Sequence, residues 1–518
     1  MLRYAKNYTL VYLLPLSITI ININSSNITS LINIDSQKND IVQQELSHGI
    51  LSDTLHSLEN SDKNLSIPQE EFKKYLSNIV AIKNDSRKKQ QKNHGIPKSK
   101  KDWTFFVYIA ADNDLRGFAA RNLQQMAAIG STLHINIVAH LDTRISNKQK
   151  ITRRYYIEKD KITHMNNNDP ATQSMDSGSA QTLISFCTWG IKNFPANHYA
   201  LVLWNHGSGI VDPAHGRIVN PSSLFTFNPI TNKFELDRSI GFLDFISSLD
   251  KQFNERGICW DDSTGNYLNN QSLNTALSQI CSSSLNGNKF DIIGFDACLM
   301  SMLEVADIAK QHAHTMIASQ ELELGPGWRY DSILHPFKNT TLSPVAFAQH
   351  IVKTYGDNYN KITDDYTLSA INLDSLSALE DNLSSVSSLL LQALGMQKEM
   401  SVKNAIRASR NKLLCTHFDE PSYLDLHHLY VNLQSNLKHF SFHNQQQGTI
   451  LLQSLNQLLE RGRSLIKQIV IANVVGANLR QASGISIYFP EHKIHSSYRK
   501  TIFANTNNWI ELISAYLA

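Results

Sequence analysis

The stretches Tyr199-Ala-Leu-Val-Leu-Trp-Asn-His206-Gly-Ser-Gly209 and Phe290-Asp-Ile-Ile-Gly-Phe-Asp296-Ala-Cys298-Leu-Met300 decide how this chain folds. Each is an apolar run of strand length, the pattern of a strand buried on both faces in a parallel sheet. One run ends on a histidine and the other on a cysteine. Chemistry in open α/β sheets collects outside the carboxyl ends of the strands, so these two side chains are expected to meet there. Gly207-Ser-Gly209 lets a substrate backbone approach closely. The apolar spacing of Leu299–Ala309 predicts an amphipathic helix opened by Cys298. The positive end of that helix would favour the thiolate, the species that attacks carbonyls, and a protonatable imidazole could serve the leaving group.

Working outward, Trp103–Ala111 reads as a first strand, with Asp112-Asn-Asp-Leu115 opening a helix through Met126. His134–Asp142 and Tyr155–Ile157 read as strands, and Ser179–Phe194 as a helix before the His206 strand. Strands alternating with helices imply right-handed crossovers and a mostly parallel sheet. Residues 210–256 form a long polar stretch carrying Arg217, Lys233, Arg238, Lys251 and Arg256, a connection of the functional or mobile kind. Beyond residue 340 the pattern turns helical over Pro344–Tyr359, Asp374–Leu394, Val402–Cys415, Leu424–Leu437 and Thr449–Val470, with a strand at Thr367–Leu373. Gly484–Pro490 alternates like a strand and ends at proline, which predicts an edge element of the main sheet.

Four motifs occur in order: Trp204-Asn-His-Gly-Ser-Gly209, Gly257-Ile-Cys-Trp-Asp-Asp262, Gly294-Phe-Asp-Ala-Cys-Leu-Met300 and Ala318-Ser-Gln-Glu321. With them the chain resembles the clostripain family of cysteine peptidases, relatives of caspases, gingipains and legumains. The resemblance covers roughly residues 102–335, with echoes at Thr367-Leu-Ser-Ala-Ile371 and Gly484-Ile-Ser-Ile-Tyr-Phe-Pro490. It implies a caspase-like α/β/α sandwich with a mostly parallel sheet at residues 102–340, followed by a mainly helical C-terminal subdomain at 341–518. It further implies Cys298 as nucleophile and His206 as acid and base. The N–H groups of Gly207 and Cys298 would form the oxyanion hole, Asp296 would line the pocket for a basic side chain, and Glu321 would be a second wall acid. The resemblance also implies activation by a cut between the His206 and Cys298 segments, expected within 210–256 or in a basic linker upstream.

Each residue has a plainer reading. A strand-end histidine alone is more often structural, and a lone cysteine is more often a buried thiol. Their pairing in one chain favours catalysis. Asp296 could instead cap a helix at Cys298. Asp261 and Asp262 look like a metal pair, but loop capping explains them more simply. Calcium enters only through the family, because no Asp-x-Asp-x-Asp-Gly loop is present. No other cofactor is expected.

The chain has 518 residues, enough for one large catalytic domain with appendages, and its net charge of +3 with 18% charged residues indicates no particular partner. Its five cysteines, Cys187, Cys259, Cys281, Cys298 and Cys415, contain no Cys-x-x-Cys pair and are too scattered for a disulfide scaffold or a structural zinc site. Arg3 and Lys6 followed by the apolar run to Ile23 read as a signal peptide or uncleaved anchor, so a periplasmic or extracellular location is expected. Residues 24–101 are Asn-, Ser-, Lys- and Gln-rich, a pro-segment or spacer ending in the basic runs Arg87–Lys92 and Lys98–Lys101. Those runs lack the interleaved aromatics of a nucleic-acid site. No Gly-x-Gly-x-x-Gly, Walker loop or Gly-x-Ser-x-Gly elbow appears. The expected protein is an exported, monomeric cysteine endopeptidase acting on proteins or peptides after Arg or Lys. The alternative is an inactive relative that uses the same fold to bind.

Overall fold

The computed structural model describes residues 99–146, 149–166, 170–211, 224–239 and 257–518. The signal or anchor expected at 1–23 and all but the end of the spacer lie outside the described residues, as do 212–223 and 240–256 of the long polar connection.

In chain order the first half runs β1 (Lys101–Ala111), α1 (Arg116–Ile129), β2 (Ile135–Ser146), β3 (Gln149–Glu158), β4 (Lys161–His164), α2 (Ala180–Asn193) and β5 (Ala196–Trp204). Two hairpins follow, β6 (Phe225–Asn228) with β7 (Lys233–Leu236) and β8 (Ile258–Asp261) with β9 (Asn266–Leu268). Then come α3 (Asn270–Ser283), β10 (Phe290–Asp296), α4 (Leu303–Ala309), β11 (Ala313–Ala318), α5 (Tyr330–Leu334), α6 (Pro344–Tyr359) and β12 (Thr367–Asn372). The remainder is α7 (Leu376–Met396), α8 (Ser401–Ser409), β13 (Tyr423–Asp425), α9 (Leu426–Asn436), α10 (Gln445–Ile469), β14 (Val470–Val475), β15 (Ser486–Tyr488), α11 (Ile502–Thr506) and α12 (Trp509–Leu517).

Nine strands form one sheet in the order β14-β12-β11-β10-β5-β1-β2-β3-β4. Strands β11, β10, β5, β1 and β2 run parallel in its middle, and antiparallel strands extend it on both sides. The continuous apolar runs explain this centre, because each feeds two cores. Phe106, Tyr108 and Ala110 of β1 and Leu201 and Leu203 of β5 enter the core on one face. Their alternates Phe105, Val107, Ile109, Ala200, Val202 and Trp204 enter the core on the other. Helices α1 and α6 cover the second face through Leu123, Met126, Phe347 and Ile351. Helices α2, α3 and α4 cover the first, and the C-terminal helices extend the same core through Leu383, Leu390, Leu429, Leu455 and Leu512. The architecture is thus the expected α/β sandwich with a mainly helical C-terminal region, although β12 and β14 from that region also complete the main sheet.

Two local expectations are corrected. Gly484–Pro490 does not join the main sheet: β15 pairs antiparallel with β13 in a separate two-stranded sheet, and β14 takes the edge position. The Asp112–Leu115 segment does not begin the helix, which starts at Arg116. Asn113 instead locks it as a turn, donating to the carbonyls of Ala110 and Trp260 at 2.9 and 3.0 Å and accepting from Leu115 N–H.

Candidate active site

The sheet register sets the site. Trp204 on β5 pairs with Asp296 on β10, and Asn205 N–H extends the ladder to the Asp296 carbonyl at 3.3 Å. His206 and Cys298 therefore leave adjacent parallel strands at the same level, where neighbouring strands are about 4.8 Å apart. Gly207 makes the approach possible, since a Cβ there would lie 2.5 Å from the Cys298 carbonyl oxygen. Among the described residues, neither the Gly207 nor the Cys298 N–H reaches an acceptor.

Cys298 does not open a helix. Leu299 adopts a left-handed φ of 62°, Ser301 N–H bonds to Ser319 at 2.8 Å, Met302 bridges to Ser486, and α4 begins only at Leu303. These cross-chain bonds hold 299–302 away from helical geometry despite its apolar spacing. The thiol is therefore not lowered by a helix end. Burial pushes it well above the usual thiol range, the Glu323 N–H at 3.2 Å draws it down, and the carboxylates of Glu323, Asp419 and Glu321 push it up again. The other cysteines are also buried free thiols.

His206 is nearly buried and its Nε2 lies 2.7 Å from Oδ1 of Asp114, in the turn that ends β1. Trp260 stands edge-on to the imidazole at 6.3 Å. Burial alone would raise the Asp114 carboxyl, but the facing histidine and nearby N–H groups leave it below the ordinary carboxylate range. Sequence reasoning missed this residue because acids after a strand are ordinary cap and turn formers. The available signal was the density of polar side chains, Asp112-Asn-Asp114, at the end of a wholly apolar strand.

Behind this turn lies a buried charge cluster. Lys150 bonds to Asp261, lies 2.9 Å from Asp142 and 3.8 Å from Asp112. Arg144 bonds to Asp112 at 2.7 Å and to Asp262 at 3.2 Å. Asp261 also accepts from Ser177 and Thr264 N–H groups, so the pair that resembled metal ligands is engaged by cations and turns of the chain itself. Removing one partner of a buried charge network costs about 3–5 kcal/mol. We expect Lys150→Met to lower unfolding stability by about that amount in urea titrations, and a loss under about 1 kcal/mol would refute the hub role.

Asp296 caps no helix. Its carboxylate accepts from Trp328 N–H at 3.1 Å and Tyr330 hydroxyl at 2.7 Å, and Gly327 must stay a glycine because its φ is +61° and a Cβ would meet Asp296 Oδ1 at 2.5 Å. Burial pushes the Asp296 carboxyl up to about 6, against the pull of Tyr330 and Trp328. Glu323 beside it is pushed well up, by burial first and by Asp296 next. Glu321 does not stand as an open wall acid: it is fully buried, bonded to Arg238 at 2.7 Å and to the Asp419 N–H at 3.0 Å. Arg238 also reaches Asp365 at 3.2 Å, and Phe234 N–H bonds to Ile362 at 2.8 Å, so this part of the polar connection is ordered against the body. That partnership joins residues remote in sequence and leaves no local trace.

A model of the clostripain family matches residues 107–222 and 219–514. Clostripain of Hathewaya histolytica is 24% identical over 257 residues, 45% of this chain, and the match spans 42% of that protein. A secreted C11 cysteine protease from Bacteroides thetaiotaomicron in complex with an irreversible peptide inhibitor shares the fold with a TM-score of 0.50 at 20% identity, over 79% of this chain and 99% of that one. A second structure of a secreted C11 cysteine protease from the same organism superposes with a TM-score of 0.50 at 13% identity and the same coverage.

Proposed function

The chain belongs to the clostripain family, and from that premise we propose that it is a cysteine endopeptidase cleaving after Arg or Lys with Cys298 as nucleophile and His206 as acid and base. The observation that carries the proposal is the register that sets these two side chains level on adjacent strand ends, with Gly207 packed against the Cys298 carbonyl.

Attack begins as the Cys298 thiol passes its proton to His206. A C–S bond forms to the scissile carbonyl carbon, and the oxyanion is met by the N–H groups of Gly207 and Cys298; one such donor is worth about 100-fold or more in rate. Collapse breaks the C–N bond while His206 returns a proton to the departing amine. His206 then takes a proton from water, whose oxygen attacks the thioester carbon; the C–S bond breaks, the acid product departs, and His206 returns the proton to the sulfur. Asp296, two residues before the nucleophile, supplies the charge for a basic P1 side chain. Export fits the expected leader at 1–23 and the secreted relative. Activation by a cut between His206 and Cys298 is part of the same proposal.

The test is a panel of fluorogenic peptides differing only at P1, offered to the full chain before and after limited proteolysis. Turnover after Arg and Lys is expected. If no peptide is cleaved in either state, the enzyme reading fails and the inactive binding module replaces it.

A further inference from the structure

The turn that ends β1 carries more polar side chain than a turn requires. Asp112 is committed to Arg144, and Asn113 to the carbonyls of Ala110 and Trp260. Asp114 is the member aimed at His206, its Oδ1 2.7 Å from Nε2. We propose that Asp114 is a positioning residue for catalysis: its carboxylate accepts the Nε2–H of His206, fixes the ring and its tautomer, and makes Nδ1 the nitrogen that transfers the proton. The inference rests on the cysteine-peptidase reading and adds a third group to its pair.

The support for the bond is rigid on both sides. Asn113 Oδ1 accepts from Leu115 N–H at 3.0 Å, Asp262 N–H bonds to the Asp112 carbonyl at 2.8 Å, and Ser263 N–H bonds to the Asp112 carboxylate at 3.2 Å. On the histidine side, Asn205 donates to the Ala110 carbonyl and accepts from Trp260 N–H at 3.0 Å, tying the neighbouring residue to the same turn. The His206 and Asp114 side chains are only 8% and 18% exposed, so their charge-assisted bond is little screened. During acylation the ring holds two protons. The Nδ1 proton passes to the amine nitrogen as the C–N electron pair leaves with it, and the Nε2 proton stays between ring and carboxylate. Asp114 stabilises the charged ring before that transfer. Asp262 also faces Asp114 and His206 electrostatically, while its carboxylate bonds to Arg144 at 3.2 Å, which makes it a control for charge without contact.

Two substrates with the same Arg-terminated acyl group separate positioning from folding. The anilide needs a proton on its leaving amine, whereas the p-nitrophenyl ester expels a stable phenolate, so kcat/KM reports acylation with and without proton donation. For Asp114→Asn in the full chain, both substrates lose support for the His206 ring that takes the thiol proton and the anilide also loses proton donation to its amine, so anilide kcat/KM is expected to fall about 100-fold and ester kcat/KM about 10-fold, with KM and Tm little changed. Asp262→Asn is expected to change both by less than about 3-fold. Asp114→Glu keeps the carboxylate and gives the anilide-selective loss in milder form, so the comparison survives an unfolded asparagine variant. Equal losses on both substrates, no loss, or Asp262→Asn matching Asp114→Asn overturns the inference. A wild-type chain that cleaves neither substrate overturns the peptidase reading and this inference with it.

Discussion

Replacing Cys298 by alanine is expected to abolish peptide cleavage, with a loss in kcat on the order of 10⁵ or more, the scale seen when a covalent nucleophile is removed from a catalytic unit. The fold survives, because the side chain is small and the cavity left by one sulfur costs about 1 kcal/mol. The comparison that gives this result meaning is Cys415→Ala. That thiol is also buried, and burial pushes it up to about 12, but it lies outside the strand pair that carries His206. Its replacement is expected to leave kcat within about 3-fold. Steady-state rates on one Arg-P1 substrate decide the matter. Cleavage by Cys298→Ala within tenfold of wild type would remove this residue from the chemistry.

Asp296→Asn is expected to have the second-largest effect, and a selective one. Losing one partner of a buried charge pair costs about 2–5 kcal/mol, so kcat/KM for basic P1 substrates is expected to fall about 30-fold to several-thousand-fold while a neutral P1 analogue changes little. The same carboxyl predicts a pH dependence. Burial raises it to about 6, with the Tyr330 hydroxyl and Trp328 N–H restraining the rise. The group is ionised above that value and neutral below it, so if Asp296 holds the P1 cation, its recognition is expected to be complete near pH 8 and to fade as pH falls through about 6. The neutral analogue should lack that acid limb, and Asp296→Asn should lose it for Arg and Lys substrates. An acid limb shared equally by cationic and neutral substrates would assign it elsewhere.

What could be read from the sequence follows from the range of the forces involved. Strands β1, β5 and β10 were legible because burial on both faces leaves an unbroken apolar run. The level placement of His206 and Cys298 at adjacent strand ends followed from two such runs ending in reactive side chains. Helices α6, α7, α9 and α10 appeared within a few residues of their expected limits. Cys298 as a helix opener failed because Ser301 and Met302 bond across the chain to Ser319 and Ser486, overriding a locally helical pattern. The alternation at Gly484–Pro490 marked a strand but could not name Tyr423–Asp425 as its partner. Arg238 and Glu321 were each visible as charges, yet their pairing is a tertiary fact. Asp114 was hidden because a turn former and a residue that steadies a histidine have the same composition.

The seating of β5 against β10 in the middle of the sheet bears on what a cut between them would leave behind. The two fragments would not separate as modules, since each contributes strands to the same pair of cores. The severed protein would be a heterodimer by covalent count and one body by packing. Unfolding would stay unimolecular, while recovery would require two chains to find each other, so refolding would become second order and dependent on concentration. A mature form made this way would be kinetically trapped in its assembled state and hard to restore once lost.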